Sequence, residues 1–225
     1  ISKRLRFNSV VQRVPTKFSD FREPTPDSMP DIFILSIIEW DYRYQRPQQL
    51  AAQLAKANRR VFYVEMCFQA KELEIYEIEE NAYLIRLPSN SNAHLSPYKI
   101  NDDTKVAKRW VDSLYELCDT VQATAHKQVI IQHPFWWHFA KHLSPEFELI
   151  YDCMDDISGF SNADSQTIEA EEQLLENCDK LTVSSQRLFD LYRAKKNITL
   201  IRNGVDLEHF KNDSLTEKTA FALDS

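Results

Sequence analysis

The sequence has 225 residues, of which 43% are hydrophobic and 27% are charged, and this suits one well-buried globular domain, alone or with a flexible arm. The net charge of −7 argues against nucleic acid as the main partner, because phosphate binding needs clustered Lys and Arg. No apolar run approaches the roughly 18–20 residues of a membrane span. Only two glycines occur, which excludes a glycine-rich phosphate loop.

Residues 1–30 contain four prolines and little hydrophobic periodicity, which predicts an arm or linker rather than core. The first residues are basic but lack the apolar stretch of a secretory signal. A solvated linker is the simpler interpretation, and a peripheral contact with a membrane surface or a partner is the alternative. We therefore expect the protein in the cytoplasm, either free or at the inner face of the membrane.

The four cysteines agree with a cytoplasmic protein. Cys67, Cys118, Cys153 and Cys178 form neither a C-x-x-C pair nor a Cys/His cluster at zinc spacing. Cys118 and Cys178 fall on the apolar faces of predicted helices, which is typical of buried free thiols.

From Asp31 onward, strands rich in β-branched and aromatic residues alternate with amphipathic helices. The predicted strands are Ile32–Ile38, Val61–Glu65, Ala82–Leu87, Gln128–Gln132, Glu148–Asp152, Lys180–Val183 and Ile198–Ile201. The predicted helices are Arg46–Ala57, Asp103–Thr124, Phe135–His142, Asp164–Cys178 and Ser185–Lys195. Apolar strands separated by helices indicate a parallel sheet covered on both faces, so residues 31–203 are predicted to form a doubly wound, Rossmann-like α/β domain, with 204–225 as a linker.

Ligands of open parallel sheets bind beyond the carboxyl ends of the strands, so the residues that follow each strand are the candidate site. After the first predicted strand come Trp40, Asp41, Arg43 and Arg46. Aromatic faces suit stacking on sugars, and arginines near a helix start suit a phosphate or carboxylate. The alternative is that the aromatic residues belong to the core and the arginines pair with local acids.

A histidine follows the fourth predicted strand. His133 stands where that strand ends and a helix begins, and a base with a pKa near neutrality suits deprotonation of a hydroxyl. A structural hydrogen-bonding role is the alternative. His138 and His142 have a spacing that could bind a metal, but no third ligand accompanies them, so no metal site is predicted.

Three carboxylates, Asp152, Asp155 and Asp156, lie within five residues after the fifth predicted strand. Such crowding is costly unless the carboxylates meet hydroxyls, cations or a metal. We favour hydrogen bonds to ligand hydroxyls, with Asp155 or Asp156 as a general base. Helix capping and solubility are the alternative explanation, and Asp164 is most simply a helix N-cap.

Three stretches of the chain resemble one family of enzymes. The strand ending in Ser-Ser, the helix and the tail Ile-Arg-Asn-Gly-Val-Asp within Leu181–Phe210 resemble the end of the N-terminal domain in family-4 glycosyltransferases of the GT-B type. The strings W-D-x-R-x-Q-R-P-Q-Q-L-A and Y-D-C-M-D-D resemble the TuaH-like subgroup, in which the first replaces the usual Gly-Gly loop.

The resemblance implies the N-terminal, acceptor-side half of a GT-B glycosyltransferase. Such an enzyme moves a sugar from a nucleotide-sugar to a carbohydrate or lipid-linked acceptor in cell-surface polysaccharide synthesis, without a metal or other cofactor. A second, donor-binding domain of the same polypeptide would be the partner, so the 225-residue chain is expected to be inactive alone.

The strand ends and the resemblance together give the candidate site residues. The candidate catalytic residues are His133, Asp155 and Asp156, and the candidate substrate-binding residues are Trp40, Asp41, Arg43, Arg46, Asp152, Arg202, Asn203 and Gly204. Two alternatives stay open. One is a non-catalytic carbohydrate- or partner-binding domain derived from such an enzyme, and the other is a sugar-nucleotide epimerase of GT-B architecture.

Overall fold

The structure is a computed structural model that describes residues 29–66, 70–88, 104–160, 163–195 and 197–204. The described strands are β1 (Asp31–Leu35), β2 (Val61–Glu65), β3 (Glu74–Glu79), β4 (Ala82–Arg86), β5 (Lys127–Ile131), β6 (Phe147–Cys153), β7 (Lys180–Val183) and β8 (Ile198–Leu200). The described helices are α1 (Arg46–Lys56), α2 (Thr104–Thr120), α3 (Trp137–Ala140), α4 (Ser165–Asn177) and α5 (Gln186–Tyr192). Cys67 and nearly all of the predicted arm and linker lie outside the described residues.

All eight described strands form one sheet in the order β3–β4–β2–β1–β5–β6–β7–β8. Every neighbouring pair is parallel except β3 with β4. The chain runs outward from β1 to β2 and β4, then returns to the other side of β1 and continues to β8. The predicted doubly wound, Rossmann-like fold is therefore confirmed. Its strand order reverses between β1 and β5, which places a crevice at their carboxyl ends.

The strand β3, an antiparallel strand at one edge of the sheet, was not predicted from the sequence. Its sequence, Glu-Ile-Tyr-Glu-Ile-Glu, carries three glutamates, and it joins β4 through a turn in which Asn81 has a φ of 67°. Charged side chains on an edge strand hinder pairing with another chain. The strand is therefore a short hairpin added to an otherwise parallel sheet.

The sheet separates two apolar layers because successive strand residues point to opposite faces. On β1, Phe33 and Leu35 belong to the larger core with α2, α3, α4 and α5, while Ile34 belongs to the smaller core with α1. Ala51 and Ala55 of α1 are buried in the smaller core, and their small side chains suit close packing against the sheet.

Two element boundaries differ from the prediction for local reasons. The first strand ends at Leu35 because the Ser36 hydroxyl accepts a hydrogen bond from the Ile38 N–H at 3.0 Å, which turns the chain out of the sheet. The predicted helix Phe135–His142 is a 3-10 turn, Pro134–Trp136, followed by the four-residue α3. Trp136 is almost fully buried there, and its ring contacts those of Trp110, Phe135 and Phe139.

The described cysteines are free thiols, as predicted. Cys118 and Cys153 are buried and Cys178 is half-buried. Burial raises the pKa of Cys118 and of Cys153 to about 12, so both thiols are protonated at neutral pH. Among the helices that the structure describes, none has both the length and the apolar character needed to cross a membrane.

Candidate functional site

A broad, open cavity of about 1530 Å³ lies at the carboxyl edge of the sheet. Its wall consists mainly of residues that follow β1, β5, β6 and β8, together with one side of α1 and the start of α4. Because these four strands are parallel, segments far apart in sequence meet at the same edge. The cavity includes the crevice between β1 and β5, where the order of the strands reverses.

Most of the residues singled out from the sequence lie at this cavity. The predicted site residues that line it are Arg43, Arg46, His133, Asp155, Arg202, Asn203 and Gly204. Four others, Trp40, Asp41, Asp152 and Asp156, are not part of its wall. Trp40 packs edge-to-face on Tyr63, with ring centroids 5.0 Å apart, which agrees with the alternative core interpretation for this residue.

Arg46 connects α1 to the ends of β6 and β8. Its Nε and Nη2 donate to the two carboxylate oxygens of Asp152 at 2.9 and 2.7 Å. Its Nη1 donates to the Ile201 carbonyl at 3.0 Å and to Asn203 Oδ1 at 3.1 Å. Asp152, which is buried, also accepts from the Thr182 hydroxyl at 2.7 Å. Arg46 thus pairs with an internal acid and holds the segment after β8 against the start of α1.

Arg43 and Arg202 have different surroundings from Arg46. Both are exposed at the cavity, and neither is paired with a carboxylate within the described part of the chain. The guanidinium of Arg43 lies over the ring of Tyr42, 5.2 Å from its centroid, and Tyr42 is 63% exposed. These two arginines could therefore bind an anionic group, a phosphate or a carboxylate.

His133 has a structural contact and a face toward the cavity. Its Nδ1 accepts a hydrogen bond from the Phe135 N–H at 3.1 Å and so caps the 3-10 turn. Burial lowers the pKa of His133 to about 4, so the imidazole is neutral at pH 7. An acceptor role for Nδ1 puts the ring proton on Nε2. The ring is consequently suited to donate a hydrogen bond, more than to act as a base.

Of the three clustered carboxylates, Asp155 has the most open position. Asp156 accepts hydrogen bonds from Arg187 Nη2 and from the Ser158 hydroxyl, both at 2.7 Å. Asp155 is exposed and lines the cavity. Asp164 caps α4 as predicted, accepting from the Thr167 N–H at 2.7 Å. In the described ranges no three His, Cys, Asp or Glu side chains converge as metal ligands would.

Two buried polar residues of the cavity wall were not predicted from the sequence. Gln132 is 3% exposed and Thr167 is 4% exposed. A signal for Gln132 was present, because it is a polar residue at the end of an apolar strand and directly precedes His133. No local signal marks Thr167, because only the tertiary packing of α4 brings its first turn to the cavity.

Comparison with known proteins supports the fold. No protein-family model matches the sequence, and no curated protein does either. Sucrose-phosphate synthase from Thermosynechococcus elongatus has a similar structure, with a TM-score of 0.60 and 15% sequence identity over 83% of this chain and 49% of that one. A second structure of the same synthase from Thermosynechococcus elongatus matches with a TM-score of 0.53 and 16% identity over 80% of this chain and 92% of that one.

The chain therefore spans about half the length of the first of these structures. At this level of sequence identity the likeness establishes the fold alone, a Rossmann-like α/β domain.

Proposed function

We propose that this chain is the acceptor-binding half of a GT-B glycosyltransferase, of the family-4, TuaH-like kind that its motifs resemble. The enzyme would transfer a sugar from a nucleotide-sugar to a carbohydrate or lipid-linked acceptor during cell-surface polysaccharide synthesis. The observation that carries the proposal is the cavity at the point of strand reversal, in a domain whose fold matches about half of a sucrose-phosphate synthase. That cavity gathers residues from all three motifs.

The geometry supports specific roles for two of the residues. In sugar transfer the acceptor hydroxyl must lose its proton as it attacks, so a carboxylate beside it can act as general base. Asp155 fits this role because it lines the cavity and Asp156 is already paired with Arg187. His133 fits a positioning role, since its ring lines the cavity and is neutral at pH 7.

The donor nucleotide-sugar is assigned in this proposal to another domain of the same polypeptide. The sequence offers no glycine-rich loop for the diphosphate, and Arg46 at the start of α1 is bound to Asp152. We therefore expect the 225-residue chain by itself to transfer no sugar. Arg43 and Arg202 face the cavity and would meet a charged substituent of the acceptor or of the donor.

A transfer assay on the complete gene product tests the proposal. The protein is incubated with a panel of radiolabelled nucleotide-sugars and with cell-envelope extract as the source of acceptor. We expect one donor to label the extract, and Asp155→Asn to lower turnover at least a hundredfold, which is the usual effect of losing a general base. The melting temperature of Asp155→Asn should not change, because exposed polar positions contribute little to stability.

Asp190→Asn is the matched control. Asp190 is exposed on α5, where its carboxylate accepts from Gln186, and it is outside the cavity wall. This variant should keep full turnover. Absence of transfer from every donor in the panel, or equal turnover of the Asp155 and Asp190 variants, would contradict the proposed function.

A further inference from the structure

Two of the buried polar atoms without a partner belong to the cavity wall. Across the described ranges, six buried side-chain nitrogen or oxygen atoms have no hydrogen-bond partner, namely Arg59 Nε, Arg109 Nε, Trp110 Nε1, Gln132 Oε1, Trp136 Nε1 and Thr167 Oγ1. Gln132 and Thr167 line the cavity, whereas the other four residues do not. A buried polar atom left unpaired is costly, so two such atoms on residues that line one cavity favour a ligand that completes their bonds.

The orientation of the Gln132 amide follows from its neighbour. Gln132 Nε2 donates to Asp152 Oδ2 at 3.3 Å, and this carboxylate also binds the Arg46 guanidinium. An ionised carboxylate can only accept, so the amide must turn its NH₂ group toward Asp152. Its carbonyl oxygen, Oε1, is then a buried acceptor with no hydrogen-bond donor among the described residues.

Thr167 is held in place independently of its hydroxyl. It lies in the first turn of α4, where its backbone N–H donates to the Asp164 carboxylate at 2.7 Å. The backbone capping bond therefore does not involve Oγ1, which is buried and unpartnered. A threonine hydroxyl both donates and accepts, so it can pair with a hydroxyl in either direction.

We propose that Gln132 and Thr167 bind a polyhydroxylated ligand, with one ligand hydroxyl donating to Gln132 Oε1 and another pairing with Thr167 Oγ1. The inference rests on the proposed function in taking that ligand to be the carbohydrate acceptor. Glu39 and Asp155 also line the cavity and add acceptors for ligand hydroxyls. Acceptors of this kind suit a neutral, hydroxylated ring, whereas an anionic substituent of the ligand would face Arg43 and Arg202.

Sugar binding to the 225-residue chain tests the inference without any transfer reaction. The probes are glucose, galactose, mannose, N-acetylglucosamine and glucuronic acid, titrated against the protein by NMR. We expect at least one probe to bind, and Thr167→Val and Gln132→Met each to weaken it about tenfold, the loss expected for one hydrogen bond of about 1.4 kcal/mol. Thr167→Ser, which keeps the hydroxyl, should bind within about twofold of the unmodified protein.

The melting temperature separates ligand binding from a structural role. Since Thr167 Oγ1 has no partner in the described chain, Thr167→Val should melt at or above the temperature of the unmodified protein while it binds sugar less well. Ser113→Ala removes a buried hydroxyl of α2 outside the cavity wall, and it should leave sugar affinity unchanged.

Two results would overturn the inference. One is the absence of binding by every probe, and the other is unchanged affinity in both Thr167→Val and Gln132→Met. If sugars bind but the complete gene product transfers none, the proposed enzyme is wrong and this site is supported. If the complete gene product transfers sugar but no probe binds, this site is wrong and the proposed enzyme is supported.

Discussion

The neutral state of His133 follows from its position rather than from its residue type. A histidine in water has a pKa near 6.5, but this ring is largely buried at the end of β5 and no opposite charge offsets the burial. The hydrogen bond from the Phe135 N–H needs a lone pair on Nδ1, and protonation of that nitrogen would break it. The cap and the burial therefore favour the same uncharged ring.

This position of His133 predicts a pH dependence of stability. The folded pKa of about 4 lies below the unfolded value, so the contribution of His133 is present above about pH 6.5 and is lost as the pH falls through 4. His133→Asn keeps an acceptor for the Phe135 N–H but does not titrate. Urea unfolding at pH 7 and pH 4 measures the free energy of unfolding. Between these pH values it should fall by up to about 3 kcal/mol more in the unmodified protein than in His133→Asn. Equal losses in the two proteins would contradict the assignment.

At the scale of elements, a buried ion pair holds the amino edge of the sheet together. Arg60, the residue directly before β2, donates to both oxygens of Asp31 in β1, at 2.9 and 2.6 Å, and neither side chain is exposed. Arg60 also donates to the carbonyls of Val121 and Gln122, while Asp31 accepts from the Thr124 N–H at 3.0 Å. Two strands and the connection between α2 and β5 thus meet at this pair.

Removing one partner of this pair should be strongly destabilising. Arg60→Met would leave the Asp31 carboxylate buried without its cation, and such changes cost about 3–5 kcal/mol. Urea denaturation measures the loss. The matched control is Arg187→Met, because the Arg187 side chain, which pairs with Asp156, is 78% exposed and its loss should cost less than about 1 kcal/mol. Similar losses of unfolding free energy in the two variants would show that burial does not determine how much the Arg60–Asp31 pair contributes to stability.

The carboxyl edge is held by Arg46, and this contact should control the segment after β8. We expect Arg46→Met to speed hydrogen exchange of the Ile201 amide at least tenfold, because the variant loses the contacts to the Ile201 carbonyl and Asn203 that hold the segment. The Phe33 amide in the centre of the sheet should exchange at an unchanged rate. Arg43→Met is the control, since Arg43 is exposed, and it should not alter Ile201. Unchanged exchange in Arg46→Met would mean that the segment is held in another way.

For the molecule as a whole, the sequence predicted the parallel fold because apolar strand runs and amphipathic helices alternate regularly. It did not predict β3, since the three glutamates of that strand indicate a solvent-exposed segment and pairing at an edge depends on a neighbour. The carboxyl-edge position of Arg43, His133 and Asp155 followed from the parallel arrangement alone.

Partners within the site could not be predicted in this way. Whether Arg46 binds a ligand or Asp152 depends on distances across the sheet, and the two residues are 106 positions apart in sequence. The unpaired oxygen of Gln132 likewise becomes apparent only when the positions of Asp152 and Arg46 are known. Sequence patterns thus located the edge of the sheet, while the pairing of its charges required the folded structure.

A second buried titratable group, Glu171, has a pH-dependent effect on stability that is opposite to that of His133. Glu171 of α4 is 3% exposed and accepts a hydrogen bond from the buried Tyr151 hydroxyl at 2.7 Å. Burial raises the pKa of Glu171 to about 7, an effect that the Tyr151 hydrogen bond only partly offsets. The folded protein therefore holds a proton there that the unfolded chain releases near pH 4.5. This stabilisation is complete below about pH 4.5 and is lost as the pH rises through 7.

Between about pH 4.5 and 6.5 the two groups should therefore have opposite and cancelling effects on the pH dependence of stability. Glu171 stabilises the folded protein more at acidic pH, and His133 stabilises it more at neutral pH. Glu171→Gln keeps an acceptor for Tyr151 and does not titrate. From pH 4.5 to pH 8 the free energy of unfolding of the unmodified protein should therefore fall by up to about 3 kcal/mol relative to this variant. Urea unfolding across that range measures the difference, and its sign must be opposite to that found for His133→Asn. If Glu171→Gln shows the same pH profile as the unmodified protein, the carboxyl group is ionised in the folded state and its hydrogen bond with Tyr151 stabilises the charge. The paired variant, with both substitutions, should parallel the unmodified protein between pH 4.5 and 6.5, because the two opposing slopes are removed together.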